Sequence, residues 1–566
     1  MVEKIALIDR IRDSVIGEGA GIETPFGPKP LVYADYTASG RALGFIEDYI
    51  HQRVLPFYAN THTESSFTGS QTTALREQAR QLIHRSVNGG EDDRVIFCGA
   101  GSTAAIHKLI DILNLRLPAD LNRRYRFDRQ LADADRPVVF IGPYEHHSNE
   151  IPWRESIAEL VVIPLDSDGL LDVDALEQQL HDYAGRPLKI GSFSAASNVT
   201  GIKTDVDKIA RLLHRHGALG FWDYAAAAPY VGIDMTGEHT RGGDSSKDAV
   251  FISPHKFIGG PGTPGVLVVK QHLLANRVPA VPGGGTVVYV TPEDHRFSAD
   301  PERREEGGTP AIVESIRAGL VFKLQQDVGT DMIEQRESAL VRRALARWSA
   351  CDTIEVLGNT TAPRLSIVAL RIKYKQKDLH YGFVAALLND LFGIQARGGC
   401  SCAGPYGHTL LGMDMDYSKA LEAQLLAGHM IMRPGWVRVN FNYFISDEMF
   451  EYLVAAVELV AAHGWRLLPY YRYQSESGVW RYQGEDMALQ TRLSDIDYFA
   501  SQSTLGKPVA PPSLATCLAL AQQELTRTSR QGRRFSIELP PAAELLRWFV
   551  LPQETAATAQ TPVEVG

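Results

Sequence analysis

Between about residues 90 and 270 the chain alternates short apolar runs with longer stretches in which apolar side chains recur every three or four positions. The runs fall at 94–98, 137–141, 160–164, 188–193, 218–222, 249–252 and 265–269, and helical patterns such as 102–115 and 205–216 lie between several of them. Strands alternating with helices predict an α/β layer with a mostly parallel sheet, because a parallel strand needs a long crossover, usually a helix. Residues 280–310 are rich in Gly and Pro and read as irregular, whereas 311–350 carries a helical period with Glu, Arg and Gln on its polar faces. A second, smaller α/β segment follows, with strands expected at 364–373 and 436–441 and helices at 383–391 and 447–463. After Arg472 the character changes to a polar turn region, an apolar helix pattern near 514–525, a basic patch at 527–534 and a frayed tail over 553–566. The predicted organisation is an N-terminal segment (1–30), a large α/β domain (31–310), a connecting long helix (311–350), a small C-terminal α/β domain (351–466) and a helical C-terminal extension with a disordered tail (467–566). There is no internal repeat.

Composition narrows the class. At 566 residues the chain buries a full core without staples. Its 57 basic against 67 acidic residues give −10, spread along the chain, so no basic footprint points to nucleic acid or to an anionic membrane. Five cysteines, few and odd in number, fit a reduced cytoplasm better than a secreted disulfide scaffold. No run of eighteen apolar residues occurs, and the opening MVEKIALIDRIRDSVIG lacks a long apolar core. The expectation is a soluble cytoplasmic protein.

The strongest local signal is Ser253-Pro254-His255-Lys256, directly after the apolar run 249–252. A lysine just past a strand end can be desolvated and made nucleophilic, although a lone lysine is more often an ordinary surface residue. The glycine-rich stretch 259–265 leads into a strand rather than a helix, so it is no dinucleotide fingerprint. Upstream, Asp223 closes another apolar run and points toward the crevice where ligands of α/β sheets bind. An Asp facing a Lys across that crevice suggests pyridoxal phosphate: the lysine holds the cofactor, and the acid keeps the ring nitrogen protonated so that the ring acts as an electron sink. Gly99-Ala100-Gly101-Ser102-Thr103 lies between a strand and a helix, where backbone N–H groups and two hydroxyls suit a phosphate, with helix capping by Ser102 the plainer reading. His146 and His147 follow the strand near 138–141. No Cys or His stands at zinc spacing nearby, so stacking on a cofactor ring is preferred to a metal, and no metal is expected. Asn198, after the strand ending near 193, is placed to contact the ring hydroxyl.

With these residues in hand, the sequence resembles the class V aminotransferase family of fold-type I pyridoxal-phosphate enzymes, and within it the cysteine desulfurase and selenocysteine lyase branch. The resemblance spans roughly 30–465. It rests on Tyr33-Ala34-Asp35, Gly101-Ser102-Thr103, Glu145-His146-His147, Ser197-Asn198, Asp223, Ser253/His255/Lys256, Glu306-Gly307-Gly308-Thr309-Pro310, Arg397-Gly398-Gly399-Cys400-Ser401-Cys402 and Arg438. It implies that His146 stacks on the ring and that Lys256 is the Schiff-base lysine. It implies that Ser102, Thr103, Ser253 and His255 take the phosphate, and that Thr309 reaches the phosphate of the other subunit of a homodimer. Arg438 is then expected to fork the carboxylate of an amino-acid substrate, with Arg397 next in line. One departure stands out: the family pattern Asp-x-Ala-Gln reads Asp223-Tyr224-Ala225-Ala226, so the glutamine that usually donates to the ring hydroxyl is Ala226.

Desulfuration needs a thiol beside the substrate sulfur. Residues 397–408, RGGCSCAGPYGH, show neither helical nor strand period and read as a mobile loop. The related pattern Arg-x-Gly-x-x-Cys places the nucleophile on Cys402 and leaves Cys400 to resolve, relay or substitute. The cysteines are otherwise structural, and no second pair stands elsewhere to complete a metal site. The alternatives to a desulfurase are another class V enzyme (aminotransferase, epimerase or lyase) working on a non-sulfur amino acid, which Ala226 favours, and a sulfur-relay or assembly scaffold whose extension binds a sulfur-acceptor protein. A molybdenum-cofactor sulfurase-like arrangement ranks low, because the extension is short for the domain such proteins carry. The arginines at 527, 530, 533 and 534 suit an acidic partner or, more simply, a solvated face.

Overall fold

A computed structural model of the chain describes residues 2–61, 63–240, 242–486, 491–499 and 509–556. The seven apolar runs all become strands of one sheet: β1 (Asp93–Cys98), β2 (Val138–Ile141), β3 (Glu159–Val162), β4 (Lys189–Ser194), β5 (Leu219–Asp223), β6 (Ala249–Ile252) and β7 (Gly265–Lys270). Their spatial order is β1-β7-β6-β5-β4-β2-β3. Four neighbouring pairs, from β6 to β3, are parallel, and β7 alone is antiparallel to both its neighbours. The central strands are buried on both faces, hence the continuous apolar runs.

Side chains alternate across the sheet and divide into two cores. Phe251, Leu267, Val139 and Phe221 pack on one face with Ile106, Leu109 and Trp153; Val250, Ile252, Val266 and Trp222 pack on the other with Leu212 and Leu213. Each fully buried aliphatic or Phe side chain of this kind contributes about 1.5–3 kcal/mol relative to exposure. The helices Gly101–Ile112 and Val206–Arg215 arise where the sequence pattern placed them, the second capped by Asp205 accepting from the Lys208 N–H. This architecture brings the C-terminal ends of β1, β2, β4, β5 and β6 to one edge, where a ligand crevice forms.

Three expectations need correction. The connecting helix of 311–350 is two helices, Ile312–Val328 and Thr330–Trp348, because Gly329 adopts φ +88° and ends the first. The stretch 280–310 is not wholly irregular. It holds an antiparallel hairpin, Val287–Val290 with His295–Phe297, and a short helix Pro301–Glu305 capped by Asp300. The cysteine segment is not a free loop: 397–399 is a strand and Gly404–Leu410 a helix, which leaves residues 400–403 as a turn. Pro405 in the helix's first turn is compatible with helix there, so the Gly/Pro content was a start signal. In the basic patch Arg527, Arg533 and Arg534 are exposed, as a solvated face would have them; Arg530 is buried against Glu524, Arg527 also pairs with Glu524, and Arg533 and Arg534 lie over the rings of Phe535 and Tyr470.

The second layer is an antiparallel sheet of β8 (Ile354–Val356), β9 (Ile367–Tyr374), β10 (Lys377–Asp378), β11 (Arg397–Gly399) and β12 (Trp436–Asn440), ordered β8-β9-β12-β11 with β10 on β9. Helices Tyr381–Phe392 and Asp447–His463 cover it. The chain beyond 466 packs into this same core. A hairpin, Tyr471–Gln474 with Val479–Tyr482, and the helix Leu514–Thr526 place Trp480, Cys517, Leu525 and Phe549 among Phe383, Leu387 and Val460. The expected disordered tail falls largely on 557–566, outside the described residues, and Pro552–Ala556 is helical. At the other end, Val32–Tyr33 pairs in parallel with Ile394–Gln395, so the N-terminal segment runs directly into the region of the site.

Candidate active site

The strand ends enclose a cavity of about 260 Å³ lined by Ser102, Thr103, His146, Asn198, Asp223, Ser253, His255, Lys256, Arg397, Cys402 and Arg438. Its lining runs from Thr37 to Arg438, so residues far apart in the sequence meet here. Most lining residues stand at strand ends of the large sheet or in the first turn of helix Gly101–Ile112, while Arg397 and Arg438 come from strands of the second sheet and Cys402 from the turn at 400–403.

One end is a cradle for an anion. The Ser102 N–H, in the first turn of helix Gly101–Ile112, donates to Ser253 Oγ at 2.9 Å, and the two hydroxyls lie 3.0 Å apart. Thr103 Oγ1 stands 2.7 Å from Ser148 Oγ. Glycine is required at two points: Gly101 has φ +59°, and a Cβ there would fall 2.8 Å from Ser253 Oγ and 2.9 Å from His255 Cε1. A Cβ on Gly265 would lie 2.1 Å from the Gly101 carbonyl oxygen. Hydroxyls and a helix N-terminus gathered with backbone this close suit a phosphate.

The middle of the cavity carries the titrating groups. Asp223 is buried, its Oδ1 accepting from the Ala225 N–H at 2.8 Å. Burial raises its pKa, and the Ala225 bond, Lys256 and Ser102 draw it back. Lys256 is pushed down to about 8 by burial, which outweighs the opposing attraction of Asp223, and Arg438 adds to the lowering. An amine in this condition is a nucleophile near neutral pH. His146 and His255 are each brought down to about 4 by burial and then by the Lys256 charge, so both rings are neutral. Below them Glu145 accepts from the Ser194 N–H and hydroxyl and from Asn149 Nδ2, and burial lifts it to about 7. It anchors the turn that carries His146.

The far end differs from expectation in its arginine. Arg438 is buried but already engaged: Nη2 donates to Asp35 Oδ1 and Nη1 to the Asn198 carbonyl, both at 2.9 Å, while Nε has no partner. Asp35 also accepts from Arg397 Nε at 2.8 Å through its other oxygen. Arg397 and Arg438 are cross-strand partners on β11 and β12. Like charges directly opposite repel, and Asp35 between them compensates. Sequence reading quoted Asp35 in a motif and gave it no role, because nothing local signals a partner 403 residues away.

Asn198 Nδ2 donates to the Ser401 carbonyl at 2.8 Å, while its Oδ1 is buried without a partner. Ala226 lines the cavity as a buried methyl. Cys402 is exposed at the mouth, whereas Cys400 is half-buried, packs against the core and does not line the cavity. Thr309 also lies outside it, exposed, with its Oγ1 accepting from Asn60 Nδ2 at 3.4 Å. Among the described residues one group has metal-ligating proximity, Glu177, His181 and His216, and it is not part of this cavity.

A search of protein families matches the Aminotransferase class-V profile over residues 32–417, more than half of the chain. The chain belongs to the class-V aminotransferase family. Members are pyridoxal-phosphate-dependent enzymes, and the residues of this cavity fit that cofactor: a glycine-walled cradle, a buried acid, an unpartnered Asn198 oxygen and a desolvated lysine. Among relatives of this class-V chain, a probable cysteine desulfurase of Halalkalibacterium halodurans is 31% identical over 384 residues, covering 66% of this chain and 85% of the relative. A probable cysteine desulfurase of Staphylococcus aureus is 30% identical over 385 residues, covering 67% and 84%. In three dimensions the apo cysteine desulfurase of Thermococcus onnurineus superposes with a TM-score of 0.60 at 21% identity, covering 76% of this chain and 95% of that one. The cysteine desulfurase CsdA of Escherichia coli gives 0.59 at 21%, covering 75% and 93%. These neighbours show the fold-type I architecture. The extension beyond 466 lies outside the family profile.

Proposed function

We propose that the enzyme is a cysteine desulfurase that removes sulfur from L-cysteine, giving alanine and a persulfide on Cys402, or selenium from selenocysteine, giving alanine and the corresponding sulfur–selenium adduct on Cys402. The observation that carries this reading is a thiol on the rim of the same cavity that holds Lys256 and Asp223. Pyridoxal phosphate would sit with its phosphate on Ser102, Thr103, Ser253 and His255, its ring under His146 and its nitrogen at Asp223, and when bound it supplies an electron sink. Lys256 takes and returns protons beside the substrate carbon, which its lowered pKa permits. Arg438 binds the substrate carboxylate, with Arg397 second, once Asp35 yields a donor. The Cys402 thiolate attacks the substrate sulfur: an S–S bond forms, the C–S bond breaks, and its electron pair passes to the carbon skeleton, which is protonated to alanine. The persulfide then goes to a thiol acceptor.

A homodimer is part of the proposal. Leu55, Phe57, Tyr58 and Phe67 are exposed close to Asn60 and its partner Thr309, and Val288, Tyr289 and Val290 are exposed on the hairpin. Apolar patches of this kind mark interfaces, and Thr309, outside its own cavity, is free to reach the phosphate of a second subunit. The five free cysteines suit a cytoplasmic setting, and among the described residues no helix is long and apolar enough to cross a membrane.

Incubating the purified, cofactor-loaded protein with L-cysteine and a thiol reductant should release alanine and sulfide in equal amounts. The second reading, turnover of a non-sulfur amino acid, is favoured by Ala226, a methyl lining the same cavity as Asn198, whose side-chain oxygen has no partner. It predicts amino-group transfer and no sulfide.

A further inference from the structure

Residues 400–404 make a turn that their own backbone does not favour. Ser401 and Cys402 are both left-handed, φ +54° and +55°, a region that disfavours side chains with a Cβ. Two such residues in succession persist where the surroundings hold them. Within the segment the Ala403 N–H donates to the Cys400 carbonyl at 3.2 Å. The other ties reach in from elsewhere.

His147 supplies two of them. Its main-chain N–H donates to the Cys402 carbonyl at 2.8 Å, and its ring Nε2 accepts from the Gly404 N–H at 3.0 Å. The contacts bracket residues 402–404. An acceptor at Nε2 requires the neutral ring with its proton on Nδ1. Glycine at 404 belongs to the fit, since a Cβ there would stand 3.2 Å from that nitrogen. Residue 401 is held separately, its carbonyl by Asn198 Nδ2 and its hydroxyl by Trp436 Nε1 at 3.2 Å. His147 directly follows His146 and opens the turn His147–Asn149, which Asn149 fastens to Glu145 and to the Ser192 carbonyl. A rigid strand-end turn therefore carries the clamp.

We propose that His147 is a positioning residue for Cys402: its N–H and ring together hold residues 402–404 in the turn that presents the thiol to the cavity. The proposal deepens, and rests on, the reading of Cys402 as the sulfur-accepting group. A side chain with no acceptor where Nε2 stands leaves the Gly404 N–H unpaired and the strained pair with one tie fewer. The turn then opens more often, and the thiol spends less time at the substrate. The arginines that face the carboxylate lie on β11 and β12 and keep their contacts.

The test uses the full-length, cofactor-loaded protein with His147→Ala and His147→Gln, because glutamine offers an amide oxygen near the position of Nε2. Two readouts are taken: deuterium exchange of the peptide covering 400–406, and kcat and KM for sulfide release from L-cysteine. His147→Ala should speed exchange at least about fivefold, as expected for a segment that has lost a tie. It should lower kcat about tenfold with KM within about twofold and cofactor content unchanged, the pattern of a group that acts after substrate binds. His147→Gln should return both readouts to within about threefold of wild type. Unchanged exchange in His147→Ala overturns the clamp, and faster exchange with an unchanged kcat overturns the positioning role. Loss of cofactor in both variants would make His147 a folding residue and overturn it too. If wild type releases no sulfide the functional reading fails, while exchange still decides the clamp.

Discussion

Replacing Arg438 with lysine keeps the charge and removes the fork. In the structure two guanidinium nitrogens are used at once, Nη2 on Asp35 and Nη1 on the Asn198 carbonyl, each at 2.9 Å and both buried. The substrate carboxylate takes the place of Asp35 on this fork, and a single ammonium cannot grip it through two nitrogens, so one charge-assisted contact to the substrate is lost. Such a contact is worth about 1.5–3 kcal/mol. At 1.36 kcal/mol per tenfold, kcat/KM for L-cysteine should fall by roughly 13- to 160-fold. Arg397 is a calibrator: its side chain is 55% exposed and it reaches Asp35 through one nitrogen. Solvent screens it, so Arg397→Lys should cost no more than about threefold. The assay is steady-state sulfide release over a range of L-cysteine, with cofactor content measured in each variant. Unchanged kinetics in a fully loaded Arg438→Lys protein, or a larger loss in Arg397→Lys, would refute the assignment and move the carboxylate site.

Other consequences are equally direct. Gly101→Ala forces a Cβ to 2.8 Å from Ser253 Oγ at a left-handed φ, so pyridoxal phosphate, followed by fluorescence titration of the apoprotein, should bind at least about tenfold more weakly; the backbone term alone is about 1–2 kcal/mol. Because burial lowers Lys256 to about 8, the neutral amine accumulates as pH rises through that value, and the rate of cofactor uptake by apoprotein should have its midpoint near pH 8. A midpoint close to the ordinary 10.5 would count against a desolvated lysine. Glu306 is buried against Arg76, Arg80 and the Phe97 N–H, and Glu306→Gln should lower stability in denaturant unfolding by about 3–5 kcal/mol. Burial raises this carboxyl, but the arginines outweigh it and hold it below 4.5, so its stabilisation is complete above that pH and is lost as the pH falls through the lowered value.

Strands were legible in the sequence because a strand buried on both faces leaves an uninterrupted apolar run, as in Val138–Ile141 and Ala249–Ile252, whereas the edge strand Glu159–Val162 is only partly buried. The direction of β7 was not legible, since such a run carries no polarity; its reversal goes with a connection out of β6, residues 253–264, that holds one short helical turn and no crossover helix. Lys256 and Asp223 could be picked out as strand-end residues, an inference local to each. Asp35 could not, because its meaning lies in two arginines that only the second sheet places side by side. The same distance hid His147, whose contacts with residues 402–404 join opposite ends of the site. Gly329 was readable in principle as a helix stop, but the period on either side continued and masked it. In the extension, Trp480 lies in a short mixed stretch and Phe549 in the brief apolar run 548–551, neither long enough to mark a core, and their burial against Phe383 and His380 shows that they belong to one.

The central claim is that sulfur passes to Cys402. The direct measurement is to mix loaded enzyme with L-cysteine, trap thiols by alkylation and locate added sulfur by peptide mass spectrometry in wild type, Cys400→Ser, Cys402→Ser and the double variant. The account predicts a persulfide on Cys402 in wild type and in Cys400→Ser, with Cys402→Ser still binding cofactor and substrate but releasing little sulfide. Sulfide release at the wild-type rate by the double variant, with no persulfide on either residue, would contradict it.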